Sequence, residues 1–160
     1  MNLLFFRLIA ATAILIFFAM PSSAEPEDDS DFSMRITDVR MLTLDRNTVS
    51  FEPGITEILE GWSKHELVNT HVSANVPWVY TINGTKETWE GPWEKPVTDI
   101  YWKYGGMEYA SLTISPAIVA TGGPCNNQAY PIHFKIKLDI GQDIPGEYFY
   151  SYILFELTAP

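Results

Sequence analysis

The sequence predicts an all-β protein built as an antiparallel β-sandwich, and three observations carry that prediction. From Tyr130 to Ile140 apolar and polar residues alternate without a fault, with Tyr130, Ile132, Phe134, Ile136, Leu138 and Ile140 on one side and Pro131, His133, Lys135, Lys137 and Asp139 on the other. That is the period of a strand with one buried face. About eight to ten such short runs recur along the chain, separated by Gly, Pro and Asn, the turn spacing of a sandwich or barrel. No long stretch keeps a helical period.

The N-terminus reads as an export signal. Leu8 to Met20 is an apolar run preceded by Arg7, broken by Pro21 and followed by Ser22-Ser23-Ala24, so residues 1–24 are expected to be a signal peptide cleaved after Ala24. The run is too short for a permanent membrane helix, which needs about 20 apolar residues, and nothing later in the chain would span. Residues 25–33 follow as an acidic, disordered leader, because Glu25-Pro26-Glu27-Asp28-Asp29-Ser30-Asp31 has charge to repel and nothing to bury. It lacks the Gly and closing Glu of a calcium loop. Residues 34–160 remain for one β-sandwich domain, a length that supports a real core.

Within that domain Met34 to Leu44 reads as a strand whose alternation slips near Asp38 to Arg40. Thr48 to Phe51 is a second short strand, stopped by Pro53-Gly54. Ile55, Ile58, Leu59 and Trp62 have helical spacing over Ile55 to Lys64, a segment equally open to reading as a covering loop or a single turn. Val68 to Ala74 and Trp78 to Ile82 alternate as strands about a break at Asn75-Val76-Pro77, since proline is excluded from a central ladder. Asn83-Gly84 is a turn signal, and Thr85 to Pro96 a loop. Val97 to Lys103 and Tyr109 to Ser115 are strands on either side of Tyr104-Gly105-Gly106. Ile118 to Ala120 is short, and Thr121 to Gln128 is a loop.

Tyr130 to Thr158 then reads as an antiparallel hairpin turning at Gly141-Gln142-Asp143-Ile144-Pro145-Gly146. Pairing Ile140 with Glu147 sets Leu138 opposite Phe149, Phe134 opposite Ile153 and Ile132 opposite Phe155 on the buried face. On the outer face Lys137 meets Tyr150 and Lys135 meets Tyr152, a basic and aromatic strip that is a candidate contact surface. Tyrosine is also simply favoured on exposed sheets.

Composition narrows the function. A net charge of −10, one unit more negative once Arg7 leaves with the signal, argues against nucleic acid, whose phosphates demand Lys and Arg clusters. A single cysteine, Cys125, rules out an intrachain disulfide and leaves a small loop residue or an intermolecular bridge. Stability then falls to packing, which an aromatic content of 14% can supply.

The run His71-Val72-Ser73-Ala74-Asn75-Val76-Pro77-Trp78-Val79-Tyr80-Thr81-Ile82 resembles the strand, Asn, Trp, strand core of immunoglobulin-like domains in exported bacterial proteins. Ile100-Tyr101-Trp102-Lys103 and Ile144-Pro145-Gly146-Glu147-Tyr148 follow in a similar order. The similarity to BACON-type domains covers Leu42 to Ile82. WxL-type surface domains share the general order, although no Trp-x-Leu triplet is present. The resemblance implies an immunoglobulin-like sandwich, an extracytoplasmic compartment and a binding or structural duty.

No catalytic motif is present, whether Gly-x-Ser-x-Gly, His-Glu-x-x-His or a phosphate loop. The three histidines, His65, His71 and His133, are scattered, and six residues of strand would hold His65 and His71 about 20 Å apart, too far for one metal ion. No acidic pair can be singled out for glycoside chemistry. Neither a catalytic residue, a metal ligand set nor a cofactor is therefore nominated. Trp89 and Trp93, among Glu87, Glu90, Glu94 and Lys95, could form a sugar-stacking platform, or one or both of them could cap the open end of the core. Asn83-Gly84-Thr85 matches an N-glycosylation acceptor, and Asp139 with Asp143 could hold calcium. The expectation is a non-enzymatic secreted or cell-surface structural or interaction module with an extracellular protein or a second copy as partner. The alternative is a carbohydrate-binding module using Trp89 and Trp93.

Overall fold

Two antiparallel sheets face each other across one apolar core. The computed structural model describes residues 34–160, so the signal peptide and the acidic leader up to residue 33 lie outside the described residues. Met34–Ile36 carry no regular element; both sheets belong to the unit Thr37–Pro160. Its strands are β1 (Arg40–Leu44), β2 (Glu66–Ala74), β3 (Trp78–Gly84), β4 (Ile100–Tyr104), β5 (Ala110–Ser111), β6 (Ala117–Gly122), β7 (Cys125–Ile136) and β8 (Ile153–Thr158). One sheet has the order β1-β2-β7-β4-β5, the other β6-β3-β8. The all-β sandwich expected from the alternation is the architecture observed.

β7 is the centre of the larger sheet, and its inward residues Tyr130, Ile132, Phe134 and Ile136 are buried as the alternation requires. β2 runs beside it with Val68, Thr70, Val72 and Ala74 inward, and β4 on the other flank contributes Ile100 and Trp102. From the smaller sheet Trp78, Tyr80 and Ile82 of β3 complete the core, each at most 1% exposed. Burial of this kind contributes roughly 1.5–3 kcal/mol per large apolar side chain. One polar link crosses the core: Tyr80 Oη donates to Thr70 Oγ1 at 3.0 Å, and Thr70 Oγ1 donates to the Tyr130 carbonyl at 2.8 Å.

The expected hairpin does not form. β7 pairs with β2 and β4, while β8 pairs with β3 in the opposite sheet, in a register that sets Phe155 beside Ile82 and Leu157 beside Tyr80. Phe134 and Phe155 do meet, but edge to face across the core, with centroids 6.3 Å apart. Both arms bury one face, and a buried face is equally satisfied by a ladder neighbour or by the facing sheet; period alone does not distinguish them. The chain leaves the sheet after Ile136 and turns where Asp139 accepts backbone N–H groups from Gln142 and Asp143. Ile140 and Phe149, expected inside, are thereby left exposed at 63% and 61%.

Other boundaries also shift. The strand expected from Met34 begins only at Arg40, because Thr37 and Val39 are bonded to Asn75, largely through its side-chain amide, instead of joining a ladder, and Thr48 to Phe51 is irregular chain from which Val49 and Phe51 pack on the core. Asn83-Gly84 is not a turn but the end of β3, paired with Leu154 and Ile153. The Tyr109 to Ser115 strand shrinks to β5. The expected loop from Thr121 to Gln128 is nearly all strand: only Gly123-Pro124 separates β6 from β7 as the chain passes from one sheet to the other. The segment of helical spacing gives α1 (Ile55–Glu60), begun by the Glu57 carboxylate accepting the Gly54 N–H at 3.0 Å and ended by Gly61 in the left-handed conformation.

Candidate functional site

The outer face of the larger sheet carries the densest chemistry among the described residues. Strand parity sets it up: with Ile132, Phe134, Ile100 and Trp102 turned into the core, His133, Lys135, Tyr101 and Lys103 must point outward. The β4–β7 register then pairs Tyr101 with Lys135 and Lys103 with His133. The end of α1 adds a further ring. Past Gly61 the chain is fixed to β7 by the Ser63 N–H donating to the Ile136 carbonyl at 2.9 Å and by Ser63 Oγ accepting the Ile136 N–H at 2.8 Å, while the Leu138 N–H donates to the Gly61 carbonyl at 2.9 Å. This holds Trp62 beside Lys137 and edge-on to Tyr101, with centroids 4.9 Å apart.

Lys135 lies among these rings. Its Nζ is 3.7 Å from the Trp62 centroid, 4.4 Å from that of Tyr109 and 5.8 Å from that of Tyr101, while Lys103 Nζ is 4.8 Å from the Tyr109 centroid. Ring faces attract the ammonium without neutralising it, worth about 0.5–2 kcal/mol each depending on desolvation. Among the described residues neither Lys103, Lys135 nor Lys137 forms a salt bridge, whereas Lys64, Lys86 and Lys95 all do. A chain of net charge −10 thus keeps unpaired cations together on one face.

His65 reports the sign of that field. Its Nδ1 is 2.7 Å from Tyr109 Oη, and the rings meet edge to face at 5.4 Å. Burial first, then the charges of Lys135, Lys103 and His133, hold the imidazole below its ordinary range. An open depression of about 410 Å³ adjoins, lined by Trp62, Ser63, Lys64, His65 and Lys135 together with Glu57 and Glu60 of α1.

The residues nominated from the sequence do not assemble into the strips proposed for them. Lys135 and Lys137 face outward on and just after β7, but Tyr150 packs against Trp89 with centroids 5.7 Å apart, and its hydroxyl donates to the Lys86 carbonyl. Tyr152 is 79% exposed ahead of β8, whose ladder partner is β3. The ladder that would pair Lys137 with Tyr150 and Lys135 with Tyr152 is absent, because the two arms lie in different sheets. Trp89 packs on the core from the loop, its indole N–H buried without a partner, which is the covering role. Trp93 is half-buried and donates to Asp143 Oδ1 at 3.2 Å.

Asp143 is committed elsewhere than to an ion. Both its oxygens lie 2.8 Å from Lys95 Nζ, and Asp99 approaches the same ammonium at 3.0 Å. Asp139 Oδ1 accepts the Gly141 N–H. Asn83 is buried, with Nδ2 donating to the Gly84 carbonyl, so the nitrogen that a glycan would need is inside the fold. Cys125 is half-buried near the Val72 carbonyl. His71 sits in β2 opposite Ala129, two residues from the β7 partner of Asn69.

Trp62, Tyr101, Tyr109, Lys103, His65 and His133 were not nominated from the sequence. Parity alone places Tyr101 and Lys103 on one side of their strand and His133 and Lys135 on one side of theirs, but nothing local says that those two strands are neighbours. No family model, curated protein or solved structure matches this chain, so its site has to be read from its own geometry. Among the described residues no helix is long and apolar enough to cross a membrane.

Proposed function

We propose that this protein is a non-enzymatic, exported interaction module that makes its contact through the outer face of the five-stranded sheet. One observation carries the reading: Lys103 and Lys135 are held against Trp62, Tyr101 and Tyr109 with no carboxylate partner among the described residues. Ordinarily a surface lysine on an acidic protein finds an acidic neighbour or moves freely in water. Here the rings fix both ammonium groups in place, which lowers the entropy lost when a partner engages them. Trp62, Tyr101 and Tyr109 are of the aromatic type that is enriched at contact surfaces. Export is supported by the signal-like residues 1–24.

The test is a pull-down and light-scattering comparison of wild type with the double variant Lys103→Glu/Lys135→Glu, using Lys86→Glu as a surface control. Loss of the partner or of self-association in the double variant alone is expected. A contact that survives it unchanged moves the interaction to another surface.

A further inference from the structure

Resting on that reading, we propose that the Lys103–Lys135 face takes a carboxylate-rich polypeptide segment. Charge complementarity names the sign of the ligand: the two ammonium groups have no internal counter-ion among the described residues, and no carboxylate is among the groups that shift His65. Shape argues for a segment over a small molecule, because the face is the outside of a sheet bordered by an open depression rather than an enclosed cavity. Ring usage argues for polypeptide over acidic glycan. A sugar needs a free aromatic face to stack on, and here the faces of Trp62 and Tyr109 already lie within 5 Å of an ammonium.

The same geometry makes the contact sensitive to pH. His65 faces Lys103 of β4, Lys135 and His133 of β7 and the Tyr109 hydroxyl, and shares the lining of the depression with Lys64 and with Glu57 and Glu60 of α1. A bound carboxylate opposes the charges of Lys135, Lys103 and His133, which after burial are what lower the His65 pKa. Binding therefore draws a proton onto His65, and by linkage the grip tightens as pH falls. Glu57 is paired with Lys64 at 3.3 Å, so Glu60 is the carboxylate that repels an anion moving too far over the depression.

The experiment uses the whole chain after removal of residues 1–24, with poly-L-glutamate as probe. Calorimetry at low salt should show binding that weakens with added salt, falls at least about tenfold in Lys103→Met/Lys135→Met, and strengthens between about pH 7.5 and 5.5. Titration of the His65 ring by NMR should shift upward when the probe is present. His65→Gln should bind at pH 7.5 and lose most of the added affinity at pH 5.5. Unchanged melting temperatures would certify the folds of these variants. Absence of binding at low salt, equal binding by the double methionine variant, or tighter binding of polygalacturonate than of poly-L-glutamate would each overturn the inference. If poly-L-glutamate fails while the double glutamate variant still loses its native contact, the interaction face stands and only the ligand class falls.

Discussion

Tyr80 of β3 donates its hydroxyl hydrogen to Thr70 of β2 at 3.0 Å, and this bond joins the two sheets through the middle of an otherwise apolar core. Burial raises the Tyr80 hydroxyl far above its ordinary range despite that bond, so it stays protonated and donating. The two partners differ in what their loss leaves behind. Tyr80→Phe removes a donor and should cost about 1 kcal/mol. Thr70→Val strands the buried Tyr80 hydroxyl and removes the side-chain bond to the Tyr130 carbonyl, and should cost about 2 kcal/mol. Urea unfolding of the two variants checks the order; equal losses would mean that Tyr80 finds another acceptor.

Lys95, only 3% exposed, fastens the Trp93 loop to Asp99 and Asp143. Lys95→Met leaves two carboxylates facing each other with no cation and should destabilise by about 3 kcal/mol at neutral pH. Chemical denaturation at pH 7 measures it. A loss under about 1 kcal/mol would show that water already carries most of that charge.

Asp143 makes the same site a source of acid sensitivity. Its burial alone would raise its pKa, but hydrogen bonds from Lys95, the Asp139 N–H and Trp93 outweigh that and hold it below the ordinary carboxylate range. A carboxylate depressed in the folded state adds stability that is complete above the unfolded value, about 3.9, and is lost as pH falls through the lower folded value. Asp143→Asn should therefore flatten the stability curve of wild type below about pH 4. Parallel curves for the two proteins in that range would contradict this.

Trp89 and Trp93 are expected to separate stability from binding. Trp89→Ala opens the core beside Tyr150 and should cost about 2 kcal/mol, less than a fully buried tryptophan would. Trp93→Ala removes one bond to Asp143 and should cost about 1 kcal/mol. A glycan array with both variants checks the alternative role: binding by wild type that disappears in Trp93→Ala, with melting unchanged, would restore the sugar platform.

At Gly122 an added methyl would lie 2.5 Å from the Trp78 ring, whose indole N–H donates to the neighbouring Gly123 carbonyl at 2.8 Å. Gly122→Ala should push Trp78 aside and cost about 1–3 kcal/mol, read as a lower melting temperature.

Much of the fold was legible where one residue type answers to one physical demand. The inward set Tyr130, Ile132, Phe134 and Ile136 follows from alternation, whereas the proline rule that marked the break at Asn75-Val76-Pro77 does not hold throughout, because Pro131 sits inside the central strand β7 opposite Asn69. Pairing was not legible. Ile153, Phe155 and Leu157 satisfy the same inward pattern whether they sit beside β7 or across from it, and only the tertiary fold decides. That same gap hid the site: Lys135 belongs with Tyr101 and Trp62 only once β4 is known to lie beside β7. Trp62 was even less accessible, since its place depends on how Gly61 ends a six-residue helix.

The crossing of β7 between β2 and β4 also governs how the chain must come together in time. Thr70 and the Tyr130 carbonyl it reaches are 60 positions apart, so the ladder that unites them closes a long loop before it returns any burial. A chain dominated by such distant pairings belongs among the slow folders, in the range of milliseconds to seconds. Until β7 arrives, β2 carries an open edge with Val68, Val72 and Ala74 uncovered. The interval between synthesis and closure is thus the period when this protein is most exposed to aggregation, and the one in which a chaperone would matter most.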